Sequence, residues 1–150
     1  MILKLTNQDL CFFPDKKDLC SHGELDNVEP FNIKGFSPRN FVKGFLERRG
    51  ILKPRIEEVM LAEFSSVDMH VDNLSSSSCG SIAIFLRGSG ELFYTLKIPN
   101  KRNQFITMNK KVQAGEAITF DFHLPHQFKS EENCIAVLAD VNRKQLEKLI

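Results

Sequence analysis

From Ile56 onward the chain is a succession of short runs, each cut off after a few residues by a turn signal, and this cadence constrains the fold more than any other feature. Ser81-Ile82-Ala83-Ile84-Phe85-Leu86 is almost wholly apolar, as a strand buried on both faces would be. Gly88-Ser89-Gly90 reads as a tight turn with glycines at positive φ. Glu91 to Ile98 then alternates, as a strand with one wet face does. Pro99 to Asn103 is a basic loop, Gln104 to Met108 a strand, and Asn109-Lys110-Lys111 a turn. Ala117-Ile118-Thr119-Phe120 and Cys134-Ile135-Ala136-Val137-Leu138-Ala139 close the series. Many short strands in one modest chain predict an all-β barrel or sandwich.

The flanks differ. Residues 1–36 read as short strands and turns, with Leu10-Cys11-Phe12-Phe13 stopped by Pro14, and with His22 as a solvated loop histidine. Ser37 is a good N-cap and Pro38 suits the first helical position. A brace helix is therefore predicted at about 37–50, packing Phe41, Phe45 and Leu46 on the sheet, with Arg48 and Arg49 solvated or facing an acidic partner. Asn142 and Gln145 form a capping pair for a closing helix at 142–150. The expected layout is one domain: N-terminal strands and brace helix over 1–58, barrel core over 59–141, helix over 142–150.

At 150 residues the chain can bury a real core. With thirteen Phe, one Tyr and no Trp, Phe is expected to supply most of its bulk, with Phe85, Phe93, Phe105, Phe120 and Phe122 inside. A net charge of +1 gives no global field pointing to nucleic acid or a membrane surface. The Lys101-Arg102 and Lys110-Lys111 pairs read as solvated surface. No run approaches the roughly 20 apolar residues of a membrane helix. The opening Met1 to Asp9 lacks the apolar length of a secretory signal. Cys11, Cys20, Cys79 and Cys134 form no Cys-x-x-Cys pair, so they read as reduced, mostly buried thiols in a cytoplasmic protein. The Ser75-Ser76-Ser77-Ser78 run reads as a mobile loop.

The residues that could carry chemistry bracket the core. Side chains two apart on a strand share a face, so His70 and Asp72 are expected to point the same way. His126 returns from a distant strand. Two imidazoles and one carboxylate are the set that holds non-haem Fe(II) with open positions. Asp68 shares the His70 face, as a solvated carboxylate or as a group orienting His70. His123 is expected on the rim. No Ser-His-Asp or Cys-His arrangement stands out.

Gly88-x-Gly90-Glu91-Leu92, Gly115-Glu116-Ala117-Ile118-Thr119-Phe120 and Pro125-His126 resemble the double-stranded β-helix (jelly-roll) core shared by cupins and Fe(II)/2-oxoglutarate dioxygenases. His70-Val71-Asp72-Asn73 before an apolar strand resembles the prolyl-hydroxylase-like dioxygenases more closely. That resemblance implies iron ligands His70, Asp72 and His126, 2-oxoglutarate as co-substrate, and a small-molecule or peptide substrate, with a homodimer possible. In that branch a basic residue after the last His pairs the far carboxylate of the oxo acid. Here Asn133-Cys134 stand in that region, so Arg87, Lys97 and the Tyr94 hydroxyl are the candidates for that task. Cupins fit the second half as well: Gly115 and His126 keep the spacing of their second motif, while Asp121, His123 and Ser130 depart from it. The cupin alternative is a non-catalytic ligand- or protein-binding module, or a metalloenzyme that uses no oxo acid.

Overall fold

The protein is described by a computed structural model covering residues 2–23, 25, 27–72 and 78–149. Met1, Glu24, Asp26, residues 73–77 (with most of the Ser-rich run) and Ile150 lie outside the described residues.

Among the described residues, ten strands fall in two antiparallel sheets: β1 Ile2–Lys4, β2 Glu29–Pro30, β3 Ile56–Phe64, β4 Val67–His70, β5 Cys79–Arg87, β6 Ser89–Lys97, β7 Phe105–Gln113, β8 Glu116–Phe120, β9 His126–Lys129 and β10 Cys134–Asn142. The larger sheet runs β1-β8-β5-β10-β3-β2 and the smaller β4-β9-β6-β7. Within the last eight strands β6 pairs β7, β5 pairs β8, β4 pairs β9 and β3 pairs β10. That is one long antiparallel ribbon folded at the β6–β7 end. It is wound so that its coils zip together again through β5–β10 and β6–β9. A two-stranded ribbon wound in this way is the double-stranded β-helix, a jelly roll.

The apolar runs of β5 and β10 follow from burial on both faces. Ile82, Ile84 and Leu86 join Ile135, Val137 and Val141 in a cluster on the outer face of the large sheet. Ala83 and Phe85 join Cys134 and Ala136 inside the roll. Helix α2 (Pro38–Glu47) covers the outer cluster. Ser37 Oγ accepts from the Asn40 N–H at its start, and Phe41, Val42, Phe45 and Leu46 are buried. Each such side chain contributes roughly 1.5–3 kcal/mol relative to exposure. Helix α3 (Arg143–Glu147) is capped by Asn142 Oδ1, which accepts from Gln145 N at 3.1 Å, and is shorter than expected.

Several expectations are corrected. The N-terminal segment is not only strands and turns. A helical turn, α1 (Asn7–Leu10), opens with a Thr6–Asp9 capping box, and a 3-10 turn follows at Lys16–Leu19. Asn109-Lys110-Lys111 is not a turn: β7 runs straight through it, in register with β6 from Ser89↔Gln113 to Lys97↔Phe105. As an edge strand, β7 tolerates this polar stretch on its wet side. Gly88 has φ 87° as expected. Gly90 instead sits inside β6, where a Cβ would come within 2.6 Å of Lys129 O. Phe does not dominate the core. Phe41, Phe45, Phe64, Phe85 and Phe128 are buried, whereas Phe12 and Phe105 are 57% and 49% exposed, and aliphatic side chains fill most of the outer cluster.

Candidate metal centre

Strand register builds the centre. In the β4–β9 pair His70 lies directly opposite His126, and residues directly opposite each other point to the same face. Their ring centroids are 4.3 Å apart. Asp72 does not continue the strand alternation as expected, because β4 ends at His70. Its backbone N–H donates instead to Phe122 O at 3.0 Å, and this tie to the β8–β9 loop turns the carboxylate back toward the rings. Asp72 Oδ1 is 3.0 Å from His70 Nε2 and Oδ2 is 3.6 Å from His126 Nε2. The three ligand atoms lie within 4.8 Å of one another.

The backbone sets the tautomers. His70 Nδ1 is 2.6 Å from Asp68 O and His126 Nδ1 is 2.9 Å from Leu124 O. A carbonyl only accepts, so each Nδ1 carries the donated hydrogen. In the neutral rings both Nε2 atoms are then lone pairs, and both face an acceptor-only carboxylate. Such a set is reconciled by protons on the rings or by a cation among the three, and Nδ1–H bonded to a carbonyl is the usual orientation of a metal-ligating imidazole. The donor set therefore fits a divalent transition metal. The contact from His126 is the main cause holding the Asp72 carboxyl below its usual range, against the burial that pushes it up.

The centre lies on the wall of a cavity of about 760 Å³. Phe64, Phe85, Leu92, Ile118 and Phe128 form its apolar walls. Phe120 and Phe122, expected in a closed core, line the cavity around His126, with ring centroids 5.2 and 5.1 Å from it. Glu58, Asp68 and Asp140 add carboxylates to the lining, and no Lys or Arg is among the described lining residues. Asp68 does orient His70, but through its backbone carbonyl.

The candidates for binding an oxo acid are not brought into the cavity. Arg87 ends β5 and Lys97 ends β6, where it is exposed, and neither lines the cavity. Tyr94 is directly opposite His126, yet it is 5% exposed and packed in the inner cluster, where burial pushes its hydroxyl up. His123 hydrogen-bonds Asp121 through Nδ1 at 2.9 Å, and Arg143 reaches the same carboxylate at 3.3 Å. Burial alone would raise the Asp121 carboxyl, but these contacts hold it below its usual range. His22 is not merely solvated: its Nδ1 contacts the buried Glu63 carboxylate. Asp140 is the lining residue that sequence reasoning passed over. It continues the inward series Cys134, Ala136, Leu138 on β10, and an acid in that series was the available signal.

Ribbon pairing and the histidine-carboxylate group together define a jelly-roll protein with a candidate metal centre at its cavity. No protein-family model matches the chain, and no curated protein matches it. Among solved structures it is similar to the non-haem alpha-ketoglutarate-dependent carbocyclase SnoK from nogalamycin biosynthesis, with 14% identity, TM-score 0.47, and coverage of 70% of this chain and 56% of that one. It is also similar to Lactobacillus farciminis oxalate decarboxylase, with 13% identity, TM-score 0.46, and coverage of 84% and 31%. A third is the ribosomal oxygenase YcfD from Escherichia coli, with 17% identity, TM-score 0.43, and coverage of 62% and 26%. The chain thus spans between 26% and 56% of the length of these three proteins.

Proposed function

We propose that the chain is a mononuclear metalloenzyme of oxygenase type, with Fe(II) held by His70, Asp72 and His126 and an organic substrate in the cavity. The observation that carries this is the pair of Nε2 lone pairs, fixed by their Nδ1 hydrogen bonds, that converge with one carboxylate beside a large apolar chamber. Iron bound by three protein groups keeps open positions at which oxygen and substrate can be activated. The remaining tasks fall to the chain. Leu124 O and Asp68 O orient the ligand rings, and the Phe122 carbonyl holds Asp72 in place.

The version without 2-oxoglutarate fits the cavity better. A far carboxylate buried there needs a cation, and the described lining offers acids instead.

Anaerobic reconstitution followed by gel filtration and metal analysis tests the centre. One divalent ion per chain is expected in the wild type and none in His126→Ala. The proposal fails if the wild type retains no iron, manganese, nickel or zinc, or if retention is unchanged in the variant. Thermal melts of the metal-loaded protein with 2-oxoglutarate test the co-substrate, since a ligand of the native state raises stability. No shift is expected, and a saturable rise would restore the oxo-acid form.

A further inference from the structure

Four carboxylates that are packed against other groups each meet a cationic or imidazole partner. Asp9 meets Arg48 and Arg49, Glu63 meets His22, Asp72 meets His70 and His126, and Asp121 meets Arg143 and His123. Asp140 has no such partner among the described residues. It accepts from Ser81 Oγ at 3.2 Å, and the acids Glu58, Asp72 and Glu57 act on its carboxyl, while the imidazoles that share the cavity, His70 and His126, face Asp72. Asp140 is also the register partner of Glu58 across β10–β3 and of Ser81 across β10–β5. Like charges directly opposite each other in a sheet are destabilising. Here they are placed side by side on the cavity lining, with no Lys or Arg among the described lining residues. The same cavity, about 760 Å³ with apolar walls, is lined by His126, which is 5% exposed and whose Nε2 lies 3.6 Å from Asp72 Oδ2.

We propose that Glu58 and Asp140 seat a positively charged group, and that the substrate class is an amphipathic amine or guanidine. Its apolar body would lie along Phe64, Phe85, Ile118 and Phe128, and its reacting part would reach the metal. Phe120, the register partner of Ser81 across β5–β8, adds apolar surface to the same lining. Met60 and Met69, 40% and 51% exposed at the cavity, give an adaptable apolar entrance. The charge balance points the same way. A divalent ion on two neutral imidazoles and one carboxylate leaves one positive charge, against the carboxylates of Glu58, Asp68 and Asp140. The loaded chamber still favours cations over anions.

The reaction rests on the metalloenzyme proposal, but the cation seat does not, because neither Glu58 nor Asp140 is a ligand of the centre. The test is calorimetric titration of hexylamine, hexanol and hexanoate into chelator-treated protein, repeated after zinc loading. The chelated arm removes any amine–metal bond from the result. Hexylamine is expected to bind in both arms and hexanoate in neither. Asp140→Asn and Glu58→Gln should each weaken amine binding about tenfold, the size of one charge-assisted contact. Asp140→Asn retains an acceptor for Ser81, and circular dichroism checks that both variants are folded. The proposal is overturned if hexanoate binds as tightly as hexylamine, if no probe binds, or if amine affinity is unmoved in both folded variants. Metal content of the same samples separates the two ideas: selective amine binding by a protein that retains no metal would remove the metalloenzyme and leave the cation seat.

Discussion

His70 and His126 face each other across β4–β9, and each donates its Nδ1 hydrogen to the carbonyl two residues before it, Asp68 O and Leu124 O. The two rings are thus held by the same local device on neighbouring strands, with both Nε2 atoms turned toward Asp72. Metal addition should therefore stabilise the native state through all three groups at once. With free zinc at a hundredfold excess over Kd, the gain is about 2.7 kcal/mol, or a rise of about 5–10 °C in melting temperature for a chain of this size. Asp72→Asn, which keeps the shape but loses the anion, should show little or no rise. Equal shifts in both proteins would place the ion elsewhere.

Asp140→Asn should stabilise the ligand-free protein at neutral pH. Burial, and then the neighbouring acids, push the Asp140 carboxyl above its usual range, so the folded state binds that proton more tightly than the unfolded state does. The penalty is fully present above the folded value and vanishes at pH values below the ordinary carboxylate range, where both states are protonated. Relief of up to about 1 kcal/mol is expected at neutrality, shrinking toward zero in strong acid. Urea unfolding at the two pH extremes checks it. A gain in stability with a loss of amine binding is the trade expected of a binding residue.

Local signals were legible in the sequence, and those that depend on which strands pair were not. Ser37 and Asn142 each cap a helix within one turn, whereas Gln145, expected to close a capping box with Asn142, accepts from Arg55 N and donates to Lys53 O instead. His70 and His126 could be paired from the strand cadence and a family resemblance. The route by which Asp72 joins them could not, since it runs through a hydrogen bond to Phe122 rather than through strand alternation. The Glu58–Asp140 juxtaposition is likewise a matter of register. Phe120 and Phe122 look like core in any one-dimensional reading, and only the closed roll shows that they border a space. Helix α1 is a single turn, held by residues some forty positions away.

That last tie gives a stability prediction. The Asp9 side chain is fully buried, with Arg48 Nε and Arg49 Nη2 each 2.7 Å from its carboxylate oxygens and the Thr6 N–H donating at 2.8 Å. Burial would raise this carboxyl, but Arg49, Thr6 and Arg48 together hold it well below the usual range. Its contribution is complete above the unfolded carboxylate value and is lost as pH falls toward the folded one. Asp9→Asn should cost about 3 kcal/mol at neutral pH, because it leaves two guanidinium groups uncompensated. The acid limb of the variant's stability curve should be flatter than that of the wild type. A loss below about 0.5 kcal/mol in chemical unfolding would mean that the pair is solvent-screened.

Gly90→Ala tests the close approach of β6 and β9. An added Cβ would meet Lys129 O at 2.6 Å and the tip of the Phe128 ring. Phe128 packs on Phe64 and Phe85, with centroids 5.3 and 5.6 Å away, so it can move only by narrowing the cavity. Overpacking of this kind costs about 1–3 kcal/mol. The variant should melt lower and bind hexylamine more weakly than the wild type. An unchanged melting temperature would show that the two strands have room to part.

The four thiols should divide into two pairs. All four cysteines are free; Cys11 and Cys20 are exposed, and Cys79 and Cys134 are buried. Burial, followed by contact with Glu57, pushes the Cys79 thiol up to about 11, and burial raises Cys134 as well. Because the thiolate is the reactive form, these two are protected both by access and by protonation. A disulfide reagent at neutral pH should modify Cys11 and Cys20 rapidly in the native protein, and all four only after denaturation. Cys134 is the more informative probe, since it forms the inner cluster with Phe64, Phe85 and Phe128. If ligand binding tightens the roll, its slow modification should become slower still with hexylamine present, while Cys11 and Cys20 react at unchanged rates. Rapid modification of Cys134 in the native state would show that the small and large sheets separate readily at that end of the barrel.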